Sequence, residues 1–352
     1  MIVSNAEAQL PHGIPDLCTS PTAVSVRDGS WSDPTTWSIG QIPTVNDRVA
    51  ITAGTTVTYD RQSDADLACV NVFGQLTFRA DVATRLTVGT LTIMPGGGLQ
   101  IGSIGAPVAA GVTAEIVLAD RPVNTGLDPE QYGTGLLGLG RVTMHGATKA
   151  PTFARLAAEV QSGQSSLPLS AAVSGWQSGD RLVVPGTNQV SSSSGSYQGQ
   201  WETPTMAFAS GAHVGLTSGL AHAHGGGRDA SGALTFLPHV GNISRNVIIR
   251  SQNPNGTRGH VLLTNRAEVD IRYVAFKDLG RTTIAPLDST VMSSGHATHI
   301  GSNQIGRYSL HLHHLFGPAA GAPSGYQYVL IGNAVDGGTK WGITIHNTHY
   351  GL

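Results

Sequence analysis

The residues best suited to chemistry in this chain are histidines. His311 and His313 stand at i and i+2 in Leu310-His-Leu-His313, an alternating segment that reads as a strand, so both rings point to one face. His260 lies on an earlier apolar strand and His346 on a later one. Strands stacked about 4.8 Å apart would bring side chains on one face together. Neutral imidazoles converging this way suit zinc or another divalent first-row transition metal better than calcium. The sequence therefore nominates His260, His311, His313 and His346 as metal ligands. The competing arrangement is a ladder of hydrogen-bonded core histidines. Arg307 and Tyr308 flank the pair as substrate-binding candidates, or simply pack. His222, His224, His296, His299 and His314 fall in loops or on the opposite face and are set aside.

Other chemistry is poorly represented. There is no G-x-S-x-G elbow and no P-loop lysine, the motifs that place an activated serine or cradle phosphates. The serine run Ser191–Ser194 reads as a loop. A glycoside hydrolase needs two carboxylates roughly 5–9.5 Å apart. Glu268, Asp270, Asp278 and Asp336 lie on neighbouring rungs, but no spacing singles out a pair. Asp60, Asp64 and Asp66 lack the ligand spacing of a calcium loop and read as a solvated turn.

The elements that must position these side chains are strands. Val49-x-Ile51, Val70-x-Val72 and Leu91-x-Ile93 recur 21 residues apart, each followed by a glycine turn at Gly54, Gly74 and Gly97. A unit this small cannot bury its own apolar face, whereas stacked copies can. The glycines are expected where a corner needs positive φ. From Asn246 onward the rhythm returns: Val247-x-Ile249 and Val269-x-Ile271 stand 22 apart. This is the character of a right-handed parallel β-helix. Between them, Ser166–Leu169 and Arg181–Val184 read as strands around the turn Gln177–Asp180, and Thr152–Val160 is the one candidate short helix. The expectation is an all-β chain. It has an N-terminal segment (1–20), a glycine-rich β-domain (21–146), a β-rich connecting domain (147–245) and a parallel β-helix (246–352).

Composition agrees. Of 352 residues, 46 are glycine, only 12% are charged, and the net charge is -2. A low charge content and 40% apolar residues exclude a disordered chain and a basic nucleic-acid binder. The uncharged stretch Leu86–Ala114 is broken by Pro95, Gly96–Gly98 and Pro107, so no membrane span is expected. The N-terminus lacks the basic and apolar regions of a signal peptide, which leaves a cytoplasmic protein or one whose leader is not in this sequence. Cys18 and Cys69 are either one disulfide or two free thiols.

Several pieces, in order, resemble a known family. Trp31-Ser-Asp-Pro-Thr-Thr-Trp37, Gly40-x-x-Pro43, Gly54-x-x-Val57, Gly74-x-Leu76-x-Phe78 and Gly97-Gly-Leu99-x-Ile101-Gly102 resemble a G8 domain. The rest is similar to the G8-containing family of the cell migration-inducing hyaluronan-binding protein, the cell-surface hyaluronidase transmembrane protein 2 and the fibrocystins. The matching pieces include Met144-His145-Gly146, Trp176-x-x-Gly179-Asp180, Gly259-His260-Val261, Arg307-Tyr308-x-Leu310-His311-x-His313 and Ile343-x-Ile345-His346. The resemblance places histidine at all four candidate ligand positions. It implies an extracellular or cell-surface protein acting on a glycosaminoglycan-like polysaccharide, as a hyaluronidase-like glycosidase or lyase. The alternative is a non-catalytic carbohydrate-binding or adhesive surface protein. Two departures stand out. The hyaluronan-degrading animal members carry an extra domain between the regions of His145-Gly146 and Trp176, where this chain has about 30 residues. The family's β-helix also continues further, so a truncated chain is expected at Leu352.

Overall fold

In the computed structural model, which describes residues 14–188, 199–316 and 325–352, strands dominate and the one helix among the described residues is a 3-10 turn, Pro34–Thr36. The serine run falls outside the described residues.

The 21-residue repeat becomes a register. Val49 pairs with Val70 and Val70 with Leu91, all parallel; Ile51, Val72 and Ile93 follow in line. The strands after the glycine turns stack in the same way, Val57 on Leu76 on Leu99. Apolar residues at these positions are almost fully buried and form one core. Trp31, Trp37, Tyr59 and Phe78 continue that core as edge-on or tilted rings 4.7–5.1 Å apart.

The glycines serve two different physical needs. Gly54 has φ +82, as expected. Gly74 and Gly97 do not have positive φ; a Cβ there would lie 2.2 Å from the Thr55 carbonyl oxygen and 2.1 Å from that of Val72. At these corners one rung presses against the backbone below, and only a missing side chain permits the approach.

The ten-residue strand Thr84–Ile93 is where the stack widens. Its first half pairs with Ala114–Leu118 and its second half with Gly135–Gly138. Both lines then continue: Ala114–Leu118 to Val247–Ser251, and Gly135–Gly138 to His260–Asn265. Residues 246–352, read above as a separate domain, thus stack directly on the glycine-rich strands. Their shared core runs from Ala23 to Leu315, and one compact unit comprises Met1–Ala147 with Arg245–Leu352. The 22-residue spacing of Val247 and Val269 is not a rung. Val247 pairs with Val274, and Val269 pairs with Val142 on the other sheet. Three strands per rung lengthen the true repeat here. Asn246 and Asn333 act through their side chains: their carboxamide oxygens accept from the backbone N–H of Ala147 and Val274. Asn265 and Asn347 are left-handed, φ +62 and +44.

Residues Thr148–Ser244 form a second compact unit. Phe153–Arg155 is a strand, not a helix, pairing with His239–Asn242. Ser166–Pro168 and Leu182–Val183 are strands of different sheets, so Gln177–Asp180 does not join a hairpin. Lys149, Gln177 N–H and Asn242 all donate to one oxygen of buried Asp180. Its apolar core includes Trp176, Leu167, Val214 and Val240.

Candidate functional site

The strand Leu310–Leu315 turns Leu310, Leu312 and Leu315 into the core. Period-two alternation sends His311 and His313 outward. The next strand, Ile343–His346, lies parallel with His311 opposite Thr344 and His313 opposite His346. His346 therefore joins the pair on the outer face. One ring nitrogen from each of His311, His313 and His346 lies within 4.8 Å of the others. The closest pair is His313 Nδ1 and His346 Nδ1, 3.1 Å apart.

His311 is buried, and its Nδ1 sits 3.0 Å from the Gly306 carbonyl. A carbonyl only accepts, so Nδ1 carries the proton and donates. Nε2 is then a lone-pair acceptor, and it is buried without a hydrogen-bond partner. The hydroxyl of Thr344 beside it is likewise buried and unpartnered. Burial pushes His311 down to about 4, against the Gly306 carbonyl and aided by the Arg307 charge. Burial, then the neighbouring imidazoles, pushes His313 down to about 4 as well. Both rings are neutral at pH 7. That makes them good lone-pair donors and weak proton acceptors.

His260 does not join them. It pairs with Gly135, while Leu262, two residues later, pairs with His311. That offset moves His260 about 6.6 Å along the strand direction. Its ring is fully buried under the loop before Gly135, with Nε2 2.9 Å from the Tyr132 carbonyl. Burial foremost, then the Arg281 and Arg307 charges, holds it well below the ordinary range of histidine.

His314, set aside in the sequence, lies in the cluster. Thr264 pairs with His313 but Asn265 pairs with Leu315, so His314 is the extra residue of a β-bulge, with φ +52. The bulge breaks the alternation. The His314 ring stacks on His313 with centroids 4.1 Å apart and planes 9° from parallel. Nothing in the local sequence marks a bulge there.

Arg307 is occupied with backbone carbonyls. It is 5% exposed, and its nitrogens donate to the carbonyls of Gln131, Ile305 and Glu130. Its guanidinium carbon lies 4.2 Å from the Tyr132 ring centroid. Arg281 donates to the carbonyls of Thr134, Gln131 and Gly133 in the same loop. The two arginines pin residues 130–134 as one wall. Tyr308, also buried, packs its ring 5.1 Å from both His311 and Trp341.

His311, His313, His314, His346, Arg307 and Tyr308 line a pocket of about 660 Å³. Trp341 stands at it half exposed, and Glu130 is the one carboxylate among the described residues lining it. Neither was identified from sequence: Trp341 sits just before the strand Ile343–His346, outside its alternation, and Glu130 comes from a loop far back in the chain. The acidic candidates are engaged elsewhere. Arg272 donates to Asp270 at 2.6 Å, and Arg141 to Glu268 at 3.0 Å. Asp60 accepts from Ser32 N–H, Asp64 pairs with Arg85 and Asp66 with Arg121. Cys18 and Cys69 are joined as a disulfide.

Comparison with known proteins adds the following. The G8 domain pattern matches residues 36–157. Fibrocystin of the dog is 26% identical over 262 residues, covering 69% of this chain and 6% of fibrocystin. The chain thus spans a small part of the length of that relative. Among solved structures, the gp61 tailspike of Pseudomonas phage phi297 aligns over 84% of this chain and 39% of its own. Its identity is 12% and its TM-score 0.24, a level that supports no inference. Among the described residues no helix is long and apolar enough to cross a membrane.

Proposed function

We propose that this G8 domain-containing protein works outside the cell on a polysaccharide of the glycosaminoglycan class, and that the histidine pocket is where it does so. The observation that carries the reading is the pairing of an aromatic wall with polar rings in one open pocket. Trp341 is 51% exposed, next to Tyr308 and beside the imidazoles. Sugar rings present an apolar face to such a wall and hydroxyls to such donors. The Cys18–Cys69 disulfide supports an oxidising compartment.

Within that reading, elimination fits the residues better than hydrolysis by a carboxylate pair. Hydrolysis of that kind needs two carboxylates, and the described lining holds only Glu130. In an elimination, one base takes the proton from the carbon beside a uronate carboxylate. The electron pair becomes a C=C bond, and the glycosidic oxygen leaves and is protonated. Glu130 is the base this pocket offers. The same single carboxylate favours a second reading, an adhesive protein that binds glycan without cleaving it.

Incubation with hyaluronan, chondroitin and pectic polymers, followed by product sizing and absorbance of unsaturated ends, tests this. Cleavage with unsaturated ends, lost in Glu130→Gln, supports the enzyme. Binding without product, weakened in Trp341→Ala, leaves the adhesive reading. Neither binding nor product with any of these polymers rejects both.

A further inference from the structure

His311, His313 and His346 have the marks of a ligand set. We propose that they bind one divalent first-row transition-metal ion, zinc foremost, with a fourth coordination position open to the pocket. The proposal uses the same pocket as the glycan reading but does not depend on it.

Three observations carry it. First, two nitrogens sharing a tetrahedral zinc at 2.0–2.1 Å lie about 3.3 Å apart. His313 Nδ1 and His346 Nδ1 are already 3.1 Å apart, and all three rings offer a nitrogen within 4.8 Å. Small side-chain rotations close the set. Second, His311 is oriented as a ligand. Its Nδ1 donates to the Gly306 carbonyl, which fixes the tautomer and leaves Nε2 as the free lone pair. Metal-bound histidines are held by outer partners of this kind. Third, that Nε2 is buried with no partner, and so is Thr344 Oγ1. An orphaned buried acceptor is costly, because its lost water contacts are not replaced. A plain hydrogen-bonded histidine ladder accounts for the His313–His346 contact but leaves the His311 nitrogen unexplained.

The donor set also selects the ion. Three imidazoles, with neither carboxylate nor thiolate among them, disfavour calcium and magnesium, which want oxygen. Zinc accepts such a set, and copper(II) binds more tightly still by the Irving–Williams order. Three protein ligands with a free position is the pattern of catalytic rather than structural zinc. His346 is exposed, so the free position faces solvent and the pocket. His314, stacked on His313, stands beside the set and braces it.

The test is direct metal binding by the whole chain. Protein stripped with a chelator is titrated with Zn2+ by calorimetry, and with Co2+ by visible absorption. The expected result is one equivalent, with the intense visible bands of four-coordinate cobalt. His346→Ala and His313→Ala should each weaken binding on the order of 100-fold, while His296→Ala with His299→Ala leaves it unchanged. His346 is exposed, so its variant folds and remains decisive where His311→Ala does not; circular dichroism confirms this. No uptake, or uptake unaltered in His346→Ala and His313→Ala, overturns the proposal. A metal-free protein that still binds or cleaves glycan would leave the glycan reading standing. A metal-loaded protein inert toward every polymer would reject that reading alone.

Discussion

His313 and His346 are 33 residues apart in the chain and face each other on adjacent parallel strands, their Nδ1 atoms separated by 3.1 Å. Register creates this contact: with Thr344 opposite His311, His346 falls opposite His313.

His311 and His313 are both held at about 4 in the fold, against about 6.5 in an unfolded chain. With the folded pKa depressed, stability is complete above about pH 6.5. It falls as pH drops toward 4, because only the unfolded state binds the protons. The loss should be on the order of 2–3 kcal/mol for buried His311, and less for half-exposed His313. Urea denaturation of chelator-treated protein at pH 7 and pH 4.5 measures it. His311→Gln should show a shallower decline; an identical slope would refute the assignment.

The corner glycines should differ sharply in tolerance. Gly97→Ala puts a Cβ within 2.1 Å of the Val72 carbonyl oxygen. Backbone must move to relieve it, costing about 3 kcal/mol or more. Gly54→Ala meets open space and carries only the penalty of φ +82, about 1 kcal/mol. Thermal melts of the two variants rank them, and equal shifts would contradict the close-approach account.

Glu115 receives Arg85 and Arg250 at 2.5 Å each. Burial alone would raise its pKa, but the two guanidiniums outweigh that and lower it. Glu115→Ala leaves both cations facing one gap. With the arginines about a third exposed, the cost should be about 2 kcal/mol. Chemical denaturation at pH 7 checks this, and the wild-type advantage should shrink as pH falls through the folded pKa of Glu115.

The Cys18–Cys69 bridge closes a separation of 51 residues. Removing it with Cys18→Ser and Cys69→Ser frees that loop in the unfolded chain, for a loss of about 4 kcal/mol. A denaturation midpoint unchanged by the double variant or by reductant would argue against the bridge.

How far the sequence reached can be traced residue by residue. The equal spacing of Val49, Val70 and Leu91 determined which residues pair, because identical rungs bury their apolar faces only in register. Alternation alone put His311 and His313 on one face. Tertiary structure decided the rest of the site. A two-residue register offset removed His260, and a bulge added His314; neither leaves a local trace. Arg307 looked available until residues 130–134 supplied carbonyls for its guanidinium. Trp341 and Glu130 reached the pocket on loops whose paths depend on where the strands end. Short-range periodicity encodes which way a side chain faces, but which faces meet depends on register and loop closure summed over the whole stack.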